Sequence, residues 1–126
     1  MYFEVKTTQR VGKKFLKNSY LVKADELLAA YTTAGINLAD KEELEFLAVA
    51  KKDVIDVFTV EKGGQYFEVK CEYEDVDGKV LKETYIQQAL ELSDVKGLIL
   101  GNITGTPEFK SIVEKGYEDY FEQVVE

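Results

Sequence analysis

The pentapeptide Tyr-Phe-Glu-Val-Lys occupies residues 2–6 of this 126-residue chain and occurs a second time at residues 66–70. A chance repeat of five residues in so short a chain is rare, and internal repeats indicate duplicated structural units. The two copies guide the interpretation of the whole chain, because each local assignment can be checked against a second, diverged sequence.

The sequences after the pentapeptide are also repeated. Three further pairs of segments align in the same order, at residues 17–24 with 82–89, 46–52 with 109–115, and 55–58 with 118–121. Two repeats, residues 1–62 and 66–126, therefore fill the chain, and a Gly-rich linker joins them at residues 63–65.

Each repeat begins with a predicted β-hairpin. Side chains alternate along residues 2–10 in the manner of a strand, and this alternation turns Phe3 and Val5 toward the core. The return strands are predicted at residues 14–23 and 80–88. Between the strands of the second hairpin, Asp77-Gly78 is a strong turn signal, because glycine adopts a positive φ at little cost.

A helix follows each hairpin. In the first repeat, Asp25 and Glu26 favour a helix start and Gly35 favours a stop. In the second repeat, Ser93 is the predicted N-cap. Apolar residues at helical spacing predict the buried faces, which are Leu27, Leu28, Tyr31 and Ala34 in the first helix and Val95, Leu98 and Ile99 in the second.

A third strand is predicted in each repeat, at residues 44–51 and 108–114, and a short apolar segment near residues 54–58 and 117–121 closes each unit. A unit of about 60 residues buries too little surface to be comfortably stable alone. We therefore predict an α+β fold in which two tandem ββαβ repeats form a single domain, residues 1–126, with approximate two-fold symmetry and antiparallel sheets.

The two repeats differ mainly in charge. Residues 1–24 carry 6 basic side chains and 1 acidic one, a net charge of +5, whereas residues 64–126 carry 6 basic and 14 acidic side chains, which matches the net charge of −8 of the whole chain. Two interpretations remain open. The difference reflects drift on solvated surfaces, or the first hairpin contacts an acidic partner that the second repeat does not contact.

The sequence predicts a cytoplasmic protein with no membrane association. No apolar run approaches the roughly 20 residues that cross a bilayer, and the first residues lack the pattern of a secretory signal. The single cysteine, Cys71, cannot form an internal disulfide, which agrees with a reducing compartment. If the gene is viral, the expected location is the cytoplasm of the host cell.

Three features carry a resemblance to a known family. They are the aromatic start of each unit, the return strand Thr84-Tyr85-Ile86, and the closing Asp-x-Phe of Asp56-Val57-Phe58 and Asp119-Tyr120-Phe121. In these features the chain resembles a family of two-unit proteins from bacteria and bacteriophages that carries only a domain-of-unknown-function label. The resemblance covers most of the chain, although the Ala-rich first helix and its long connector depart from the pattern. It implies a bacteriophage or mobile-element setting, and no catalytic or binding residue transfers with it.

The composition argues against catalysis. The chain has no histidine, which removes Ser-His-Asp and Cys-His mechanisms, the commonest general base and most zinc sites. It has no Gly-rich phosphate loop of the Walker or dinucleotide-binding type. We predict that the protein is not an enzyme and that it has no cofactor, no metal and no catalytic residue.

Two features are interpreted as structural. Cys71 alternates with strand residues and has no evident cation beside it, so a small buried side chain is favoured over a nucleophile. Four carboxylates surround the second hairpin turn, but their spacing lacks the twelve-residue loop of a calcium site, so a solvated turn is favoured over a metal site. These carboxylates are Glu72, Glu74, Asp75 and Asp77.

The favoured function is protein–protein binding, in which the chain occupies, inhibits or assembles with a partner. Small sheets have open edges that invite strand pairing, and interfaces are enriched in aromatic residues, of which this chain has 8 Tyr and 7 Phe. The partner is a second protein or another copy of the chain. An acidic surface such as that of the second repeat also suggests imitation of nucleic acid toward a basic protein.

The alternative is binding of single-stranded nucleic acid, which requires a positive surface and exposed rings on which bases stack. The first hairpin supplies both, and Tyr2 is a further ring at an alternating position. The overall acidity counts against this alternative without removing it, because a local patch governs such binding. The predicted binding surface consists of Lys6, Arg10, Lys14, Phe15 and Lys17.

Overall fold

The computed structural model describes residues 1–124. In this part of the chain eight strands form two mixed sheets, and two α-helices and one 3-10 turn accompany them, which confirms the α+β class. In chain order the elements are β1 (Tyr2–Val11), β2 (Lys14–Lys23), α1 (Leu27–Asn37), β3 (Leu44–Lys52), β4 (Asp56–Phe58), β5 (Gln65–Glu74), β6 (Val80–Ala89), the 3-10 turn Leu92–Asp94, α2 (Val95–Asn102), β7 (Glu108–Lys115) and β8 (Tyr117–Glu122).

The described residues divide into two compact units. Unit 1 comprises Met1–Lys52 together with the described residues from Gly116 onward, and unit 2 comprises Asp53–Lys115. The predicted linker at residues 63–65 lies inside unit 2, where Gly63 and Gly64 have positive φ and lead into β5. The prediction of a single domain, residues 1–126, stays a prediction.

Unit 1 contains a sheet in the order β3-β1-β2-β8. β1 runs antiparallel to both β2 and β3, and β8 lies parallel to the outer side of β2. Phe3 and Val5 are buried in the core beneath α1, as predicted, because alternate residues of β1 face the helix.

Unit 2 contains a sheet in the order β7-β5-β6-β4. β5 runs antiparallel to β6 and β7, and β4 lies parallel to β6. Val95 and Ile99 of α2 are buried over this sheet together with Phe67 and Val69 of β5, so the predicted inner face of α2 is largely correct.

The prediction of antiparallel sheets is wrong for the fourth strand of each sheet. The short segments that were expected to close their own repeats form β4 and β8, and each joins the sheet built from the other half of the sequence by parallel pairing. The physical reason is that the outer strand of a hairpin has unpaired N–H and C=O groups that any suitable strand can pair with. An apolar pattern predicts that a segment is buried, but it does not identify the sheet that receives it.

The predicted inner face of α1 is correct for Ala34 and wrong for its three large residues. Leu27, Leu28 and Tyr31 are 52%, 68% and 47% exposed, whereas Ala30 and Ala34 are completely buried. The sheet beneath α1 is already filled by large side chains. Close packing therefore leaves room only for the small residues of the helix. These large sheet side chains are Phe3, Val5, Tyr20, Val22 and the half-buried Phe121.

Two predicted helix boundaries are wrong, the end of α1 at Gly35 and the N-cap of α2 at Ser93. α1 passes through Gly35 and ends at Asn37, where the amide of Leu38 donates a hydrogen bond to the carbonyl of Ala34. Ser93 does not cap α2, because a 3-10 turn precedes the helix and the Ser93 hydroxyl lies 3.4 Å from the carboxylate of Glu91. A glycine or serine near a helix end is a frequent signal, but here neither Gly35 nor Ser93 forms the end of its helix.

Candidate functional site

Four of the five residues predicted as a binding surface lie on one face of the β1–β2 hairpin. The antiparallel register pairs Arg10 with Phe15, and Lys6 and Lys17 lie an even number of positions away along the same strands. Side chains at even spacing share a face of a sheet. Lys14 directly precedes Phe15 and therefore points to the opposite face, the face that carries α1.

Side chains on this face of the hairpin are accessible to solvent. Phe15 is 68% exposed and the side chain of Lys6 is 58% exposed. Tyr2 is only 6% exposed, so the expectation that its ring is accessible is wrong. All five predicted residues are exposed, so the accessible surface extends from Lys6 to the turn of the hairpin and leaves out Tyr2.

Acidic groups lie close to this basic face. A groove of about 430 Å³ is lined by Arg10, Phe15, Glu43 and Glu45. The backbone amide of Arg10 donates a hydrogen bond to the carbonyl of Glu43 at 3.2 Å. The pairing of β1 with β3 brings these acidic residues there, and they offset part of the positive charge that the sequence of residues 1–24 suggests.

β8 adds further negative charge to the sheet of unit 1. Tyr20 pairs with Asp119 and Lys23 with Glu122 along β2 and β8. Burial raises the pKa of the Tyr20 phenol, and the charges of Glu118 and Asp119 add to this increase. The segment near residues 117–121, which was predicted to close the second repeat, is thus part of a strand of this sheet. Unit 1 as a whole has 9 basic and 11 acidic residues.

The outer side of α1 is an apolar surface, and three of its residues, Leu27, Leu28 and Tyr31, were predicted to face the core. Its exposed fractions are largest at Leu28, 68%, and Ile36, 72%. No residue of α1 is charged. The ring of Tyr31 lies 4.9 Å from the ring of Phe46 in β3 and so holds one end of this surface against the sheet. We name this the α1 surface; it consists of Leu27, Leu28, Tyr31 and Ile36.

A groove of about 370 Å³ runs beside the α1 surface. Leu28 and Ile36 line it from the helix, and Glu122, Gln123 and Val124 line it from the end of β8. The side-chain oxygen of Gln123 accepts a hydrogen bond from the backbone amide of Asp25 at 2.9 Å, which fixes the segment after β8 against the start of α1. The α1 surface is thereby continuous with a concave rim.

One signal in the sequence could have identified the α1 surface. Surface helices normally carry charged residues on the side that faces solvent, and residues 27–37 contain none. A helix that has apolar residues on all sides needs a partner on each side. The sheet covers one side of α1, and among the described residues its large apolar side chains remain exposed on the other.

Two of the four carboxylates around the second hairpin turn have structural partners. The carboxylate of Asp75 accepts hydrogen bonds from the amides of Asp77 and Lys79 at 2.9 and 2.8 Å. Glu72 lies 3.3 Å from the ammonium group of Lys110. Within residues 1–124 no group of three or more metal-ligating side chains comes together. The contacts of Asp75 are those of a hydrogen-bonded turn, and the contact of Glu72 is an ion pair.

Cys71 is 1% exposed in the core of unit 2. Burial raises the pKa of its thiol, and the neighbouring charge of Glu83 raises it further. A nucleophilic cysteine needs the opposite, a lowered pKa and access to solvent. The position thus agrees with the predicted role as a small buried side chain.

Comparisons with known proteins identify no relative of this chain. No helix within residues 1–124 combines the length and apolar character that a membrane span requires. No family model, no curated protein and no solved structure matches the chain. The resemblance to the two-unit bacterial and bacteriophage family therefore stays a prediction.

Proposed function

We propose that this protein acts without catalysis, by binding another protein surface through the α1 surface. The observation that carries the proposal is the orientation of α1, whose small residues are buried while Leu28 and Ile36 are 68% and 72% exposed. Large exposed apolar groups in a contiguous patch typically mark interaction sites.

The energetics favour an apolar protein partner. Each large apolar side chain contributes about 1.5–3 kcal/mol when it passes from full exposure to burial, so a partner gains most by covering the four side chains of the α1 surface together. α1 has no charged residue to desolvate. A chain with net charge −8 repels copies of itself over most of its surface, and the uncharged α1 surface is where two copies approach at least cost. A second copy is therefore the first partner to test.

Sedimentation velocity over a range of protein concentrations tests this proposal. We expect the wild type to self-associate and Leu28→Glu and Ile36→Glu to remain monomeric, because a buried unpaired carboxylate is costly. Leu92→Glu is the matched control, since Leu92 is 57% exposed in unit 2. If the wild type stays monomeric, affinity capture from a bacterial lysate should retain proteins that the two α1 variants lose. A monomer that captures nothing, or captures equally with all variants, contradicts the proposal.

The second candidate function is binding of single-stranded nucleic acid by the hairpin of unit 1. The specific support is that the exposed ring of Phe15 shares a face with Arg10, Lys17 and Lys6. Stacking of a base on one ring contributes about 1–3 kcal/mol. The carboxylates of Glu43 and Glu45 in the adjacent groove weaken this candidate, because they repel phosphate.

A labelled oligonucleotide titration at low and moderate salt tests the second candidate. Arg10→Glu and Lys17→Glu should abolish salt-sensitive binding, because they reverse charges on the face that carries Phe15. Lys14→Glu is the matched control, since the same change lies on the opposite face of the hairpin. Absence of binding at low salt, or equal loss in all three variants, would remove this candidate.

We also propose that the chain arose by duplication of a ββαβ unit and that the two repeats form one body with approximate two-fold symmetry. We propose the cytoplasm as the location of the protein. Support comes from the repeated pentapeptide and from the equal strand order of the two sheets. Each sheet takes one strand from the other half of the chain. A single calorimetric transition is expected, whereas two separate transitions would contradict a single body. Cell fractionation tests the location, and recovery of the protein outside the cytoplasm would contradict it.

A further inference from the structure

A pocket in unit 2 contains a combination of groups that the proposed function does not use. It has a volume of about 500 Å³ and opens between β4, the outer half of the β5–β6 hairpin and the residues that follow α2. Aromatic rings, carboxylates and short polar side chains line it together. The residues that matter for its chemistry are Phe58, Tyr73, Glu83, Tyr85 and Asn102.

The carboxylate of Glu83 is held in place by a buried phenol. The hydroxyl of Tyr85 donates a hydrogen bond to Oε2 of Glu83 at 2.5 Å. Burial raises the pKa of Tyr85 far above its ordinary value, and the bond to Glu83 adds to this increase, so the phenol remains a donor at neutral pH. Tyr73 interacts with the same Tyr85 hydroxyl. This network orients Glu83, because the hydrogen bond restricts its side-chain rotation.

The carboxylate of Glu83 provides a negative charge that a cationic ligand can pair with. Among the described residues, no lysine or arginine forms an ion pair with Glu83. It sits on the half-buried inner face of the hairpin, opposite the buried Cys71. Unit 2 has 7 basic and 13 acidic residues, a net charge of −6. The field around the pocket therefore attracts cations and repels phosphates and carboxylates.

The aromatic rings favour an organic cation over a metal ion. Phe58 and Tyr85 stack with their centroids 5.8 Å apart, and Tyr73 lines the same pocket. Ring faces attract ammonium groups within about 6 Å. Hard metal ions need about six or more oxygen ligands, and no cluster of three ligating side chains exists within residues 1–124.

We infer that the pocket between Phe58, Tyr73 and Glu83 binds an organic ammonium group, with Glu83 as its counter-ion and the rings as its walls. The ammonium is that of a small alkylamine or that of a lysine side chain on another protein. Both sources present the same charged, alkyl-bearing group to the pocket. The inference is independent of the α1 surface, which belongs to unit 1.

Amide NMR of the intact protein tests this inference with three probes. Butylamine supplies a free ammonium, N-acetyl-lysine-methylamide supplies a lysine side chain in a peptide context, and its Nε-acetylated form removes the charge. We expect both amines, titrated to about 10 mM, to shift the amides of residues 55–58, 81–85 and 102–104. The acetylated compound should cause no shift. Absence of shifts with both amines, or equal shifts with the acetylated compound, overturns the inference.

Two variants confirm which group provides the charge. Glu83→Gln keeps an oxygen that accepts the Tyr85 hydrogen bond but removes the charge, and we expect it to weaken amine binding by about tenfold, equivalent to about 1.4 kcal/mol. Asp77→Asn makes the same charge change at the exposed turn and should leave binding unchanged. Equal weakening in both variants would show a general charge effect and would overturn the pocket.

The relative affinities of the two amines distinguish the sources of the ligand. Tighter binding of the lysine compound than of butylamine indicates a protein lysine, because the peptide groups then add contacts at the pocket rim. Equal affinities indicate a small amine. Tyr73→Phe distinguishes the contribution of the aromatic ring from that of the hydroxyl group. The substitution keeps the ring, so it should retain amine binding if the ring face is what contacts the cation. Loss of binding in Tyr73→Phe would show that the amine depends on the hydroxyl of Tyr73 and would overturn the assignment of its ring face as the contact.

Discussion

Two tyrosine–phenylalanine pairs occupy corresponding places in the two units. In unit 1 the rings of Tyr20 and Phe121 lie 5.6 Å apart at an interplanar angle of 20°, and in unit 2 the rings of Tyr85 and Phe58 lie 5.8 Å apart at the same angle. In each pair the tyrosine belongs to the second strand of a hairpin and the phenylalanine to a strand from the other half of the chain.

The surroundings of the two pairs differ. Asn18 hydrogen bonds with Tyr20 in unit 1, whereas the carboxylate of Glu83 accepts the hydrogen bond of Tyr85 in unit 2. Opposite these polar residues, Thr7 lies across from Asn18 and Cys71 across from Glu83. The comparison teaches that the packing of the ring pair is the same in both units, while the polar neighbours of the tyrosine differ and in unit 2 place the carboxylate of Glu83 beside the rings.

The largest effect is expected when the ring pairs are broken. Phe121→Ala and Phe58→Ala should each lower the free energy of unfolding by about 3 kcal/mol, because each removes a half-buried ring that joins a strand to its sheet. Urea unfolding followed by circular dichroism measures both. If one substitution is nearly neutral while the other is severe, the two pairs are not energetically equivalent and the comparison fails.

The next effect concerns the entry into β5, which has no counterpart at the start of β1. Gly64 has φ 127°, and a Cβ there would lie 2.4 Å from the carbonyl oxygen of Ala89. Gly64→Ala should lower the free energy of unfolding by about 2–3 kcal/mol through strain and this overlap. Gly63→Ala is the matched control, because its φ is also positive, 74°, but the nearest atom lies 3.9 Å away. Equal losses in thermal unfolding would show that the overlap does not matter.

A smaller effect is expected at Thr7 and Cys71, which lie across from Asn18 and Glu83 in their hairpins. Thr7 is completely buried, and its hydroxyl oxygen has no hydrogen-bond partner. Thr7→Val keeps the shape, removes the unsatisfied hydroxyl and should raise the free energy of unfolding by about 1 kcal/mol. Cys71→Ser introduces a hydroxyl at the corresponding buried place and should lower it by a similar amount. A destabilised Thr7→Val variant would indicate that the hydroxyl is solvated or bonded after all.

The smallest effect is expected in alkaline solution. Tyr20 and Tyr85 both have folded-state pKa values above their ordinary value, mainly through burial. An unfolded tyrosine ionises near pH 10. Ionisation above about pH 10 therefore stabilises the unfolded state relative to the folded state, and the free energy of unfolding falls as the pH rises. The slope of stability against pH should be reduced by Tyr85→Phe and by Tyr20→Phe. An unchanged slope in both variants would contradict the burial of these phenols as its cause.

Local patterns in the sequence predicted much of the framework. Alternation identified β1 and placed Phe3 and Val5 in the core, and the apolar spacing of Val95 and Ile99 identified the inner face of α2. These predictions succeed because side-chain direction within one strand or helix depends on its own periodicity. The predicted binding residues fared less evenly, since strand pairing separates Lys14 from the other four and adds Glu43 and Glu45 beside Arg10.

Other features depend on residues that are distant in the chain. The helical spacing of Leu27, Leu28 and Tyr31 is a sound reason to predict a buried face, but the large side chains beneath α1 admit only alanine and threonine. The pocket around Glu83 likewise requires residues from four separate segments of unit 2. No local pattern contains this information, because it concerns the space that other elements leave free.

The sequence by itself determined that the chain contains two related halves, that it alternates hairpins with helices, and that its charge is concentrated unevenly. Only the tertiary structure decided that β4 and β8 leave their own halves, that α1 presents its large residues to solvent, and that Glu83 lines one pocket with three aromatic rings. The physical reason is that periodicity is a property of neighbouring residues, whereas strand partners and helix rotation follow from competition for hydrogen bonds and volume across the whole chain.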